Sequence, residues 1–534
     1  MISKIASLPG GRRSLWLCLA VSALLLGVTV CFPAVGVLEW VALMPMAAVL
    51  FFTAQKERVS FGKAYGMGLV FFEIYLSVTY HWFFYMYPLD FLGMSKGSAA
   101  VVVLVACLGL AFLHAIPCAL LFPLLLTAAR GKSARRYPIV IPLLAASLWC
   151  VAEWFLTLGW SGVPWARLAL GQVALLPMVQ TASLFGSYGI TFLIVLVNFL
   201  FTYALMDKKK MAAALAFLLV SVNLTAGGLL MLGDTREGDP IRVAAIQGNI
   251  SSQDKWDEDS LTDTLRVYIR LSQDAAAQGA KAVVWPESAV PYSIDETPTL
   301  DALLRKLALS EELYLFVGGF RTDGEDIYNA IYVYHPDGSR NKDYYFKRRL
   351  VPFGEYLPME DFVKTFIPPL AGLNVLSKEL TPGDDSNVIT TDMGQIGCLI
   401  CFDSIYEELA RDSVLDGAEL ILLSTNDSWF ADSAALYMHE RQAALRAIET
   451  GRYVVRSANT GISSIITPEG QTLDSVGALR EGYAISDVYR RTDVTVYTQI
   501  GNVVVWGSAA FYFAVWCYGA IESAKDRKKK KCDA

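Results

Sequence analysis

The sequence predicts a two-part protein: a multi-pass α-helical membrane domain of eight spans, and an α/β sandwich inserted between the seventh and eighth. Three observations carry that prediction. The 534-residue chain is 54% hydrophobic and only 18% charged, with a mean hydropathy of +0.40, well to the apolar side of ordinary soluble domains. The apolar residues crowd residues 15–233 and 501–521, whereas 234–500 has the composition of a soluble domain. Within that middle part, strand-like and helix-like periods alternate. The predicted boundaries are therefore 1–233, 234–500 and 501–534, in keeping with a length that favours more than one core.

The first span, 15–32, follows Lys4, Arg12 and Arg13. A cleavable leader has the same look, but further spans follow and no convincing cleavage site is visible. Val30 before Cys31 is also too large for a lipoprotein-type processing site. Spans near 35–54, 60–83, 97–127, 138–158, 184–206 and 211–233 come next, and the last near 501–521. Each approaches the roughly 20 residues that cross a bilayer. With eight spans, Arg12/Arg13, Lys56/Arg58/Lys63, Arg130/Lys132/Arg135/Arg136, Lys208–Lys210 and the tail Lys525–Lys531 all fall on one side. The positive-inside rule then places both termini in the cytoplasm and 234–500 outside. Glu73, His81, His114 and Glu153 lie in or beside the spans. Ionisable groups there are costly, and serve either function or a bond to a neighbouring helix. Residues 159–167, rich in Gly, Pro and Trp, read as an outer-face loop with interfacial anchors.

The formal charge of −6 hides an asymmetry, with basic clusters in short loops and acidic residues mostly in 234–500. Nucleic-acid binding is thereby disfavoured. Of nine cysteines only Cys398 and Cys401 fall in the soluble part. Their C-x-x-C spacing looks like a redox pair, yet residues three apart on a strand face opposite ways. Four histidines (81, 114, 335 and 439) are too few for a His-rich metal centre and argue against a Ser-His-Asp triad. No metal and no organic cofactor is expected.

The soluble part opens with strand Ile241–Ile246 and Gln247-Gly-Asn249, then an amphipathic helix over 258–278. Ala282–Trp285 is a continuous apolar run, as in a strand buried on both faces, and it ends at Pro286-Glu287-Ser288. Helix 299–310, strands Leu313–Val317 and Ala330–Tyr334, and a turn at Pro336–Gly338 follow. Lys347 comes next, in 343–358. In 393–409, Ile396, Cys398 and Ile400 alternate with Gly397, Leu399 and Cys401, the period of a half-buried strand. After Asp403-Ser404, Tyr406, Leu409, Ala410 and Val414 take helical spacing. Cys401 is thus expected where a strand turns into a helix, near the positive end of its dipole, which favours a thiolate. A small, inert, buried thiol is the plain alternative. Strand Leu420–Ser424, Asn426–Phe430, helix 436–450 and strands Tyr453–Ser457 and Ser463–Thr467 complete the α/β pattern.

Three residue types that thiol acyl transfer requires thus stand at ends of predicted strands. Cys401 serves as nucleophile, Glu287 as proton acceptor and donor, and Lys347 as the charge beside a developing oxyanion. Singly, Glu287 reads equally well as a helix cap and Lys347 as part of a solvated basic run. Together, Val284-Trp-Pro-Glu287, Lys347 with Glu355, Cys401-Phe-Asp, Glu408-Leu-Ala-Arg411 and Gly417-Ala-Glu-Leu resemble the nitrilase (carbon–nitrogen hydrolase) superfamily. With seven spans before and one after, residues 15–520 resemble its membrane-bound apolipoprotein N-acyltransferase family. That resemblance implies a nitrilase-like α-β-β-α sandwich and a Glu287-Lys347-Cys401 triad. It makes Glu355 a further essential acid, and places Asn249, Trp256 and Trp429 on the substrate side. The family often shows Cys-Tyr-Glu where this chain has Cys401-Phe402-Asp403, so any bond made by that acid has to be rebuilt around a shorter side chain.

The reaction so implied moves an acyl chain from a membrane phospholipid, through a Cys401 thioester, to the N-terminal α-amine of an S-diacylglyceryl-cysteine apolipoprotein. The expected setting is the bacterial cytoplasmic (inner) membrane, with the catalytic domain on its outer (periplasmic) face and the protein a monomer. A membrane-tethered amidase acting on a small amide is the alternative enzyme. A catalytically silent lipid-binding protein is the alternative from another class.

Overall fold

The computed structural model describes residues 11–532 apart from 57–58, 90–93, 132–133, 135, 234, 237, 252–260, 367–378 and 387. The chain divides into two compact units. One comprises Met1–Phe83, Val102–Leu232 and Ile500–Ala534, and the other Phe84–Val101 and Gly233–Gln499.

Six helices among the described residues are long and apolar enough to cross a membrane: Arg13–Cys31, Pro33–Gln55, Lys96–Ala129, Ala182–Asp207, Lys210–Leu230 and Val503–Glu522. The other two expected spans are helical but fall short. Val140–Phe155 has 16 residues, about 24 Å at 1.5 Å per residue against a hydrocarbon core of about 30 Å. In Phe61–Thr79, Lys63, Glu73 and the glycines at 62, 66 and 68 dilute the apolar character.

Several polar groups inside the first unit find partners. Glu153 accepts from Leu168 N, Trp149 Nε1 and Thr191 Oγ1 at 3.1, 3.2 and 2.8 Å. Arg167 donates to Ser187 Oγ and Tyr188 OH. His114 lies 2.7 Å from both Tyr80 OH and Ser161 O. Unsatisfied polar groups are expensive in an apolar bundle, so this bonding answers to helix packing first. The expected anchors in 159–167 are corrected at two positions, since Trp165 and Arg167 are buried.

Among the described residues the second unit is built on twelve strands: β1 (Ile241–Gln247), β2 (Ala282–Val284), β3 (Tyr314–Asp323), β4 (Asp326–Tyr334), β5 (Tyr345–Phe346), β6 (Ile389–Thr391), β7 (Gly394–Ile400), β8 (Leu420–Thr425), β9 (Val454–Ala458), β10 (Ser463–Ile466), β11 (Thr472–Val476) and β12 (Gly482–Val488). They form two six-stranded sheets, ordered β12-β1-β2-β3-β4-β5 and β11-β10-β9-β8-β7-β6. Each has a parallel centre, β1-β2-β3 in one and β7-β8-β9 in the other, flanked by antiparallel strands. Val243, Val284, Phe316 and Ile331 of the first sheet pack against Ile396, Cys398, Ile400 and Leu422 of the second. Helices Leu261–Ala277 and Pro298–Ser310 cover the outer face of the first sheet through Tyr268, Leu271, Leu304 and Leu307. Glu407–Leu415 and Ala434–Thr450 pack on the second. This is an α-β-β-α sandwich. The parallel centres put several strand C-termini at one end, where loops carry side chains into a shared site.

Candidate active site

Glu287, Lys347 and Cys401 each follow the C-terminus of a different strand, β2, β5 and β7. The apolar run of β2 is extended by a bond from Trp285 N to Phe316 O at 2.8 Å, after which the chain crosses β3 at Gly318. A Cβ at Gly318 would lie 2.3 Å from Pro286 O, so only glycine lets the Glu287 loop lie this close. Lys347 is tied by its own backbone, N to Asn329 O and O to Gly383 N.

Lys347, Glu287, Glu355 and Asn329 form one hydrogen-bonded network, and the partly buried Cys401 lies near enough to feel the charges of Glu287 and Lys347. Lys347 Nζ lies 2.9 Å from both Glu287 Oε1 and Glu355 Oε1. Asn329 Nδ2 donates to the same two oxygens, at 2.8 and 3.1 Å. Glu287 Oε2 accepts from Asn426 N and Glu355 Oε2 from Val351 N. Burial works against the Lys347 charge, but the carboxylates of Glu287 and Glu355 hold its ammonium well above the ordinary lysine range. For Cys401 the balance runs the other way. Burial and the Glu287 charge push the thiol up, with Lys347 opposing.

That overturns the expected helix-dipole thiolate. Cys401 opens a 3₁₀ turn, Cys401–Ile405, and the α-helix starts only at Glu407, beyond the reach of a dipole that fades within a turn. Burial and the Glu287 charge thus favour the protonated thiol, whose proton has to leave with the attack.

Asp403 explains the shortened acid. Its Oδ1 accepts from the backbone N of Arg348 and Arg349 at 3.2 and 2.8 Å, and its Oδ2 from Ile400 N and Tyr345 OH at 3.0 and 2.8 Å. This one carboxylate ties the Cys401 turn to the strand end bearing Lys347. Burial, opposed by Lys347 and these bonds, raises it from 3.8 to about 6. The folded protein thus holds this proton more tightly than the unfolded chain. The group's contribution to stability is full below pH about 4 and is lost as pH rises through about 6. Thioester formation should run oppositely, falling as pH drops through about 6, because an O–H on Asp403 displaces one of four donors. In Asp403→Asn, whose amide faces the same donors, we expect that inflection to vanish and the rate to fall about 10-fold or more, as read from a pH series of single turnovers. Phe402 packs edge-on against Tyr406, ring centres 5.6 Å apart, and Phe402→Tyr should keep the rate within about twofold.

Of the residues placed on the substrate side, Asn249 is exposed just past β1, its backbone N bonded to Asn459 O at 2.8 Å. Trp429 is half-buried in the turn Ser428–Phe430 after β8. Trp256 lies outside the described residues. Sequence reasoning missed Asn329, Tyr345, Asn426, Asp427, His439 and Arg456. Asn426 and Asp427 were within a noted motif, but nothing local marks the others. Among the described residues, Cys401, Asp427 and His439 have potential metal-ligand atoms within 4.8 Å of one another. However, Asp427 Oδ1 is 2.8 Å from His439 Nδ1 and Oδ2 is 2.6 Å from Arg456 Nη2, so a cation there would meet a guanidinium.

Residues 242–494 match the family model described as carbon-nitrogen hydrolase, and residues 22–200 match that of the apolipoprotein N-acyltransferase N-terminal domain. An apolipoprotein N-acyltransferase of Geobacter metallireducens is 34% identical over 380 residues, covering 68% of this chain and 71% of that one. One from Gloeobacter violaceus is 31% identical over 478 residues, 89% and 88% of the two chains. Among solved structures, Saccharomyces cerevisiae Nit3, a nitrilase-superfamily member, aligns with 48% of this chain and 92% of its own at 23% identity, with a TM-score of 0.37. With that identity and coverage extending through both the membrane helices and the sandwich, the chain belongs to the apolipoprotein N-acyltransferase family.

Proposed function

We propose that Cys401 takes an acyl chain from a membrane phospholipid and delivers it to the free α-amine of an S-diacylglyceryl-cysteine at a lipoprotein N-terminus, the N-acylation that is this family's reaction. The observation that carries the reading is the Lys347 ammonium bridged to Glu287 and Glu355 beside the thiol. Glu287 removes the thiol proton as Sγ attacks the ester carbonyl, and Lys347 faces the resulting oxyanion. Collapse expels the lysophospholipid alkoxide, which regains the proton from Glu287. In the second half the amine attacks the thioester, gives a proton to Glu287, and the Cys401 thiolate leaves and is reprotonated. Glu355, anchored on Val351 N, holds Lys347 in place between the two halves.

The same reading gives residues 234–500 the catalysis, and 1–233 with 501–534 the membrane domain. It places catalysis on the outer face of the bacterial cytoplasmic membrane, with both termini inside, and takes the protein as a monomer. The one-sided basic loops support the orientation, and lipid substrates in that leaflet fit a membrane-carried enzyme. No organic cofactor enters any step.

The test uses the full chain in detergent with phospholipid and a synthetic diacylglyceryl-cysteine peptide. The expected products are lysophospholipid and a peptide heavier by one acyl group at its α-amine. Free fatty acid in place of acylated peptide, together with turnover of small amides, would instead establish the amidase.

A further inference from the structure

Cys401 occupies left-handed backbone, φ +48°, which a residue with a side chain keeps only where its surroundings impose it. Part of that constraint comes from hydrogen bonds to the Cys401 carbonyl, separate from the Glu287–Lys347–Glu355 network. The Cys401 carbonyl accepts from Ser404 Oγ at 2.7 Å and lies 3.3 Å from His439 Nε2. The same Nε2 is 2.9 Å from Ser404 Oγ, and Nδ1 is 2.8 Å from Asp427 Oδ1. Arg456 Nη2 grips the other Asp427 oxygen at 2.6 Å.

The hydrogen-bond roles follow from the atoms. Ser404 has a single hydroxyl hydrogen, and the carbonyl of Cys401 takes it. Toward His439, then, both Ser404 Oγ and Cys401 O present acceptors to Nε2. Despite burial, the charges of Arg456 and His439 hold Asp427 below the ordinary carboxylate range, so Asp427 accepts and Nδ1 donates. The chain of bonds therefore runs one way, from Arg456 and His439 into Asp427, and from His439 into Ser404 and the Cys401 carbonyl. Ser404, Asp427 and Arg456 are fully buried and His439 is 1% exposed. Residues from three separate elements, the β8 end, β9 and helix Ala434–Thr450, form a chain of bonds whose last member, His439, reaches the Cys401 carbonyl. So much satisfied polarity at one carbonyl, in a region that apolar side chains could fill, is costly unless it fixes geometry.

We propose that His439, oriented by Asp427, is a positioning residue that clamps the Cys401 main chain, directly and through Ser404, so that the sulfur keeps its place against Glu287 and Lys347. This rests on Cys401 being the acylated group. The imidazole neither touches substrate nor exchanges a proton with it, so its loss should slow the chemical step and leave lipid binding alone.

The experiment measures single-turnover thioester formation by intact mass, on full-length protein in detergent micelles with a mixed bacterial phospholipid extract, for the parent, Cys401→Ser, His439→Ala and Ser404→Ala. In His439→Ala the rate should fall about 100-fold, the cost of misplacing a nucleophile by about an ångström, while the half-saturating lipid concentration stays within about twofold. Imidazole added to the buffer should restore about tenfold of the loss by refilling the vacated space. Ser404→Ala should cost about tenfold, one hydrogen bond's worth. It also carries the test if His439→Ala does not fold. A rate within about threefold of the parent in a folded His439→Ala, or in Ser404→Ala where that protein does not fold, overturns the proposal. So does a loss expressed wholly as weaker lipid binding. Acylation persisting in Cys401→Ser would instead remove the thiol assignment beneath it, so the two failures are distinguishable.

Discussion

Cys401→Ser should form no measurable acyl-enzyme with phospholipid and lose at least about 10⁴-fold in turnover, the scale seen when a nucleophile acting with its base is removed. Serine keeps the size and the turn, but its hydroxyl is a far weaker acid than the thiol and a poorer leaving group in the second half. In the parent, intact mass spectrometry without acceptor should show a gain of one fatty acyl group that neutral hydroxylamine removes, as expected of a thioester. Cys398→Ser is the paired control. Cys398 points between the two sheets, beside Ile396, Ile400 and Leu422, and burial alone pushes its thiol up. A hydroxyl in that apolar site should cost about 1–3 kcal/mol of stability yet leave thioester formation largely intact. Loss of acylation in both variants would revive a role for the two cysteines as a pair.

Glu287→Gln should slow thioester formation by about 10²–10⁴-fold, the usual contribution of a general base. The isosteric amide still fits the pocket, but it cannot take the thiol proton, and one of its two ends now meets donors on every side. Glu287 lies against Lys347 Nζ, Asn329 Nδ2 and Asn426 N, all of which need an acceptor. Lys347 would keep Glu355 as its ion-pair partner. Because the thiol is pushed up by burial and by Glu287 itself, the two expectations pull apart in a useful way. Removing the Glu287 charge should make Cys401 easier to ionise, so alkylation by iodoacetamide at alkaline pH should speed up in Glu287→Gln while acylation by phospholipid collapses. Slower alkylation together with near-normal acylation would sink the base assignment.

Much of this was legible in the sequence, for local reasons. A run of apolar residues declares a membrane helix wherever it lies, and Ala282–Trp285 declares a strand buried on both faces. Glu287, Lys347 and Cys401 are singled out by strand ends and a family resemblance together, and each follows the end of a different strand in the sandwich. Two of the eight expected spans fall outside the six long apolar helices, because Lys63 and Glu73 dilute one and Val140–Phe155 is short. The second sheet's outer strand β11 has an exposed pattern with little apolar period, and β12 is recognisable chiefly by pairing with β1, far away in sequence.

What only the tertiary structure decided is how the site is held. Asp403 reads as a polar break in a strand, yet folding brings Tyr345, Arg348 and Arg349 to it from more than fifty residues away. His439 reads as one histidine on a helix, and becomes significant only when β8 and β9 deliver Asp427 and Arg456 beside it. The expected strand-to-helix nucleophile became a 3₁₀ turn in which Asp403 accepts from Ile400 N within the turn and from Tyr345, Arg348 and Arg349 beside Lys347. Periodicity records which face of each segment leaves water, a property of neighbours along the chain. The partners of a buried polar group are fixed by which segments the closed sandwich brings within about 3 Å, and no local pattern carries that information.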